Sequence, residues 1–190
     1  MAEEAARASQ LWLGCPITHE LKRSPVQASP QDLSAGAFMT GTLHNRRVAV
    51  LRMRAGAQCE ADIKAFVQLG HQPNLVRLLG VCVDGPQPLL ITEFAPLGSL
   101  ERFLGEREGQ VALPHKLAAA QQVCGGMLAL AEQGIVHGDL AARNVIVCSY
   151  DPNVSTPALV VKVAGFGMAS AEGTPFRWMP PEALLRRRFS

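Results

Sequence analysis

An α+β fold, with a sheet-rich first part and a helical second part, is predicted by three features of the chain. Short apolar runs separated by turn residues extend to about residue 95, a Pro96-Leu97-Gly98 joint follows, and a long Ala- and Leu-rich helical pattern comes after it. Residues 1–30 mix charge, Ser and three prolines (Pro16, Pro25, Pro30) without a sustained period, and read as a tail or linker in which Trp12 and Leu13 are the candidates for docking. Leu33 to Met53 reads as two strands joined by the polar turn His44-Asn45-Arg46-Arg47, with Val48 to Leu51 as a buried strand. Glu60 to Leu69 reads as a helix stopped by Gly70. Leu75 to Val83 and Leu89 to Phe94 read as strands around the turn Asp84-Gly85-Pro86. Beyond the joint, Ser99 can cap a helix through Leu104, and Pro114 to Gln133 supports a long helix, interrupted by Gly125-Gly126 at a cost of roughly 1 kcal/mol each relative to Ala. Val145 to Cys148 and Leu159 to Val163 read as a hairpin across the polar loop Ser149 to Pro157.

Composition narrows the function classes. With 190 residues, 48% of them hydrophobic, the chain can bury one substantial core or two small lobes. A net charge of +2 from 18 basic and 16 acidic residues gives no reason to expect nucleic acid or a lipid surface as partner, and Arg186-Arg187-Arg188 reads as a solvated helix end. The five cysteines, Cys15, Cys59, Cys82, Cys124 and Cys148, lie far apart with no metal-ligand spacing, as expected of free thiols in a reducing compartment. The acidic start lacks the order of a signal peptide, and no apolar run approaches the roughly 20 residues of a membrane span, so a cytoplasmic protein is expected.

The segment Ile135 to Val147, IVHGDLAARNVIV, resembles the catalytic loop of protein kinases, and its Ala-Ala-Arg insert resembles the tyrosine-kinase version. Other pieces follow in the family's order. His71-Gln72-Pro73-Asn74 resembles the junction after the small-lobe helix, and Leu90 to Phe94 the strand entering the hinge. Phe176 to Glu182 resembles the end of the activation segment, with Pro180 where the family carries Ala. The resemblance covers about residues 33–190 and implies a bilobal domain: a tail (1–30), a small β-rich lobe (31–96) and an incomplete, mainly helical lobe (97–190). It assigns Asp139 and Arg143 to catalysis and Asn144 to magnesium. Nucleotide contacts fall on Gly36, Ala49, Thr92 as gatekeeper, Glu93, Ala95 and Ile146, with ATP and magnesium as the family's cofactors. Phe66, Leu78, His137 and Phe166 match the apolar column that ties the two lobes.

Departures from the family pattern concentrate in the chemistry. Leu51 stands where the family has the phosphate-binding Lys, and the neighbouring Arg52 faces the other way on a strand unless the register slips. Asp62 takes the place of the Glu that pairs with that Lys. Gly165-Phe166-Gly167 replaces D-F-G and removes the main magnesium carboxylate, while Asp151 and Glu172 lie on loop sequence. Ser34 to Met39 keeps one Gly of the phosphate loop. Gly138 replaces the Arg that receives an activating phosphate. Met168 to Pro181 holds no Tyr, although Ser170 and Thr174 can be modified and Tyr150 lies elsewhere. The chain ends at Phe189-Ser190, where the family continues into the central helix of the large lobe, so Val123, Met127 and Leu130 are expected to be partly uncovered and to offer a surface to another protein. Three outcomes are compatible with these residues: a pseudokinase acting as a binding or allosteric module, an active or weakly active tyrosine kinase, or a fragment that does not fold alone.

Overall fold

The computed structural model of the chain describes residues 38–43, 45–53, 57–82, 88–153 and 158–166. The tail, Gly36 and its loop, the turn Asp84-Gly85-Pro86, the side chain of Asp62, Gly167, and the whole of 168–190 with its activation-segment and Arg186–Arg188 expectations lie outside the described residues.

Strands β1 (Phe38–Leu43) and β2 (Arg46–Arg52) pair antiparallel from Leu43↔Arg46 to Phe38↔Leu51. Leu43 and Arg46 are already paired, so Arg46 and Arg47, expected in the turn, belong to the strand. Asn45 takes φ 62°, the left-handed geometry that a two-residue hairpin demands and that Asn tolerates. Helix α1 (Ala57–Leu69) follows, ending at Gly70 with φ 60°, and strands β3 (Leu78–Cys82) and β4 (Leu89–Glu93) complete a four-stranded sheet in the order β1-β2-β4-β3. Alternation along β2 sends Val48 and Val50 into one cluster with Leu43 and Ile91, and Leu51 into another beneath α1. Leu75 lies outside β3. It forms an isolated parallel bridge with Val163, flanked by Val76 N–H to Val163 O and Val163 N–H to Asn74 O, both 2.8 Å.

Past the joint, Ser99 Oγ accepts from Arg102 N–H at 3.3 Å and caps α2 (Leu100–Glu106). Helix α3 (Leu113–Glu132) opens on a Pro in its first turn. A 3-10 turn (Ala142–Asn144) leads into the hairpin β5 (Val145–Ser149) and β6 (Val160–Val163), as the sequence predicts to within a residue or two. The two halves share one core: Leu51, Met53, Ile63, Phe66, Leu69, Leu90, Leu130, Val163 and Phe166 all belong to a single buried cluster. Leu130 is therefore fully buried, against expectation, because it faces the loop after α1 rather than the far side of α3. Val123 and Met127 are half-buried against the core, and the strongly exposed apolar residues of α3 are Leu113, Leu117 and Leu128. Beside them an open apolar groove of about 420 Å³ is lined by Leu100, Leu104, Ala119, Val123, Leu140 and Leu159.

Candidate active site

Strand β2 pairs with both neighbours in unbroken register, so no slip brings Arg52 into the cleft. Arg52 is exposed, its Nη2 lying 4.0 Å from Met39 Sδ, whereas Leu51 is 6% exposed and packed in the shared core. Ala49 sits across from Thr92, which is buried and whose Oγ1 approaches Glu93 O at 3.4 Å. Ala95 O accepts from Gly98 N–H at 3.2 Å and turns the chain towards Ser99, which bridges to Ile146. Ala49, Thr92, Glu93 and Ala95 thus follow the β2–β4 ladder and its exit, while Ile146 lies on β5 of the second sheet and is reached through the Ser99 bridge. Gly36 lies outside the described residues.

The carboxylate of Glu93 is committed elsewhere. Its Oε1 receives Lys162 Nζ at 2.6 Å and Arg77 N–H at 2.7 Å, with Lys162 only 14% exposed. Lys162 lies opposite Ile146 in the β5–β6 ladder. Burial, followed by the charge of Glu93, pushes the nearby Cys148 thiol above its ordinary pKa. Sequence reasoning missed this pair. The available signal was a single cation inside the apolar run Leu159 to Ala164, but its partner is 69 positions away.

The loop from α3 to β5 brings Asp139, Arg143 and Asn144 together. Arg143 Nη2 donates to Asp139 Oδ1, while Asn144 Nδ2 donates to Asp139 Oδ2 at 2.8 Å and to Asp139 O at 2.7 Å. Both carboxylate oxygens are engaged, so the group is held in one orientation. His137 is buried, its Nδ1 accepting from Asp139 N–H at 3.2 Å and its Nε2 donating to Ala164 O at 2.9 Å. That pattern sets the tautomer, and burial holds its pKa below the ordinary imidazole value. The expected column is present: Phe66 and Phe166 rings lie 4.4 Å apart, His137 and Phe166 rings meet edge-on at 6.4 Å, and Leu78 packs on the same cluster.

Gly165 adopts φ 78°, and a Cβ built there would stand 3.2 Å from Asn144 Cγ and 3.3 Å from its Oδ1. Asn144 is thus pressed against a residue with no carboxylate, and its amide nitrogen is turned to Asp139. Among the described residues no group of three or more His, Cys, Asp or Glu side chains could hold a metal ion.

Residues 33–190 match the family described as protein tyrosine and serine/threonine kinase. Among curated relatives, the chain is 33% identical over 181 residues to the human tyrosine-protein kinase TXK, covering 84% of this chain and 32% of that protein. It is 38% identical over 146 residues to mouse tyrosine-protein kinase Srms (70% and 28% covered), and 36% identical over 163 residues to the mouse high affinity nerve growth factor receptor (72% and 19%). The chain therefore spans about a third or less of the length of these relatives. The ordered motifs, the four-stranded sheet with its single helix, and the Asp139–Arg143–Asn144 cluster agree with that match, and the chain belongs to the protein tyrosine and serine/threonine kinase family as a tyrosine-kinase-type domain.

Proposed function

We propose that this domain is a pseudokinase: a small lobe (31–96) and a large lobe (97–190) that keep the kinase scaffold as a binding or allosteric module, with ATP and magnesium use impaired. The observation that carries the reading is Leu51, an apolar side chain buried where the family places its phosphate-binding Lys. Gly165 supports it, since it brings no carboxylate to Asn144 where the family carries the Asp of D-F-G, and the Asn144 amide is turned to Asp139 instead. Loss of one preorganised charge typically costs about 3 to 4 kcal/mol of transition-state stabilisation, so two such losses remove much of a kinase's rate advantage. Asp139 and Arg143 are held together by an ion pair, but with Leu51 and Gly165 at the positions of the family's Lys and Asp they lack the groups that would steer a γ-phosphate to them. The partner in this reading is another protein, docking on the exposed large-lobe surface around Leu113, Leu117 and Leu128. A cytoplasmic location belongs to the same proposal and rests on the free thiols Cys82, Cys124 and Cys148. Among the described residues no helix is long and apolar enough to cross a membrane.

The test is a thermal-shift titration of the purified chain with ATP, with and without magnesium, alongside phosphate transfer to a Tyr peptide. No magnesium-dependent shift and no transfer are expected; strong magnesium-dependent stabilisation sinks the proposal. A second reading, residual tyrosine-kinase activity, is favoured by the intact hydrogen bonding of Asp139 with Arg143 and Asn144. It requires transfer that disappears in Asp139→Asn.

A further inference from the structure

We infer that Leu51 is an apolar lock, a positioning residue that holds helix α1 and Phe166 in their stacked arrangement with no cation, carboxylate partner or nucleotide. The inference deepens the preceding reading and rests on it only for the comparison with the family's Lys. In that family pattern a charged pair beside the nucleotide links the sheet to the small-lobe helix. Here the corresponding strand position carries a side chain that is itself part of the core.

Three observations carry the inference. First, alternation along β2 directs Leu51 to the α1 side of the sheet, while Val48 and Val50 enter a separate cluster with Leu43 and Ile91. Second, the buried apolar cluster that holds Leu51 draws its members from every layer that must stay in register. They include Ile63, Phe66 and Leu69 of α1, Leu90 of β4, Leu130 of α3, and Val163 and Phe166 beside Gly165. Third, the ring column that reports this register is closed, with Phe66 against Phe166 and Phe166 against His137. An ammonium at position 51 would be set among these apolar side chains, where a buried charge is strongly disfavoured unless it is paired. Restoring the family's Lys in this chain therefore loosens α1 rather than reviving the site. The domain presents one α1 arrangement whether or not a nucleotide is offered, which suits a constitutive docking module.

The experiment compares the full chain with Leu51→Met, Leu51→Lys and, as a control of equal burial on the opposite face, Val50→Ala. Melting temperature and amide hydrogen exchange are read together. Leu51→Met is expected to match the parent. Leu51→Lys is expected to lower the melting temperature by about 5 °C or more, and to speed exchange of the α1 amides and of Ala164 to Phe166 by about tenfold or more relative to α2 and the β1–β2 pairs. Val50→Ala is expected to lower the melting temperature without that local pattern. Should Leu51→Lys yield no folded protein, Leu51→Ala decides by the same local readout. Unchanged α1 exchange in the position-51 variants, or equal loosening of α1 by Val50→Ala, overturns the lock. A nucleotide arm separates the two readings: a melting temperature raised by ATP and magnesium with α1 exchange unchanged sinks the pseudokinase reading alone, while α1 exchange slowed by ATP and magnesium overturns the lock as well.

Discussion

His137 carries the clearest link between one residue's protonation and the fold. Its Nδ1 is an acceptor for Asp139 N–H, so a second proton would set two N–H groups against each other inside the core. With burial holding its folded pKa below the ordinary value near 6.5, the unfolded chain takes up a proton that the folded chain refuses. The contribution is fully present above about pH 7 and is lost as pH falls through roughly 6.5 towards the lower folded pKa, with a slope of at most about 1.4 kcal/mol per pH unit. Melting curves from pH 7.5 to 5.5 should therefore fall more steeply for the parent than for His137→Phe, which keeps a ring in the column and cannot titrate. Equal slopes would remove this account. The position of His137 was legible from the catalytic-loop motif, whereas its tautomer was not, because Ala164 O is 27 positions away.

Helix α3 explains its own two glycines. A Cβ at Gly126 would lie 2.7 Å from the backbone oxygen of Asn74 and 3.0 Å from Val163 Cγ2, whereas one at Gly125 would meet only the Asn74 side chain, at 2.8 Å from Oδ1. Asn74 O already accepts from Val163 N–H, so it cannot retreat without breaking the ladder that joins the loop after α1 to β6. Gly126→Ala is expected to lose about 2 kcal/mol despite the better helix propensity of Ala, since backbone overpacking outweighs it. Gly125→Ala is expected to be neutral or to gain up to about 1 kcal/mol, because the amide side chain can rotate away. Urea unfolding of both variants checks the contrast, and equal destabilisation contradicts it. The sequence suggested a long helix with two weak positions; which Gly is indispensable depends on the loop laid across it.

Over the whole molecule, the sheet-rich and helical halves are joined by the shared core, by the Asn74–Val76 ladder and by the Glu93–Lys162 ion pair. One cooperative unfolding transition is therefore expected, and it would set aside the reading of a chain that cannot fold alone. Lys162→Met should lower stability by about 1 to 3 kcal/mol, less than for a fully buried pair, because Glu93 is 26% exposed and keeps the Arg77 N–H. Denaturant curves followed separately at the sheet and at α3 test both points. Two separated transitions, or a Lys162→Met chain as stable as the parent, would show that the joint does not couple the halves.

The chain's own residues were enough to establish the family and the order of strands and helices, since these are properties of local pattern and of motifs read along a line. Tertiary structure alone decided that Leu51 is core rather than an idle replacement, that Lys162 pairs with Glu93, and that Leu113, Leu117 and Leu128 are exposed instead of Leu130. The reason is physical: burial and ion pairing depend on which distant segment arrives opposite a side chain. Periodicity names the face of an element but not the neighbour that covers it.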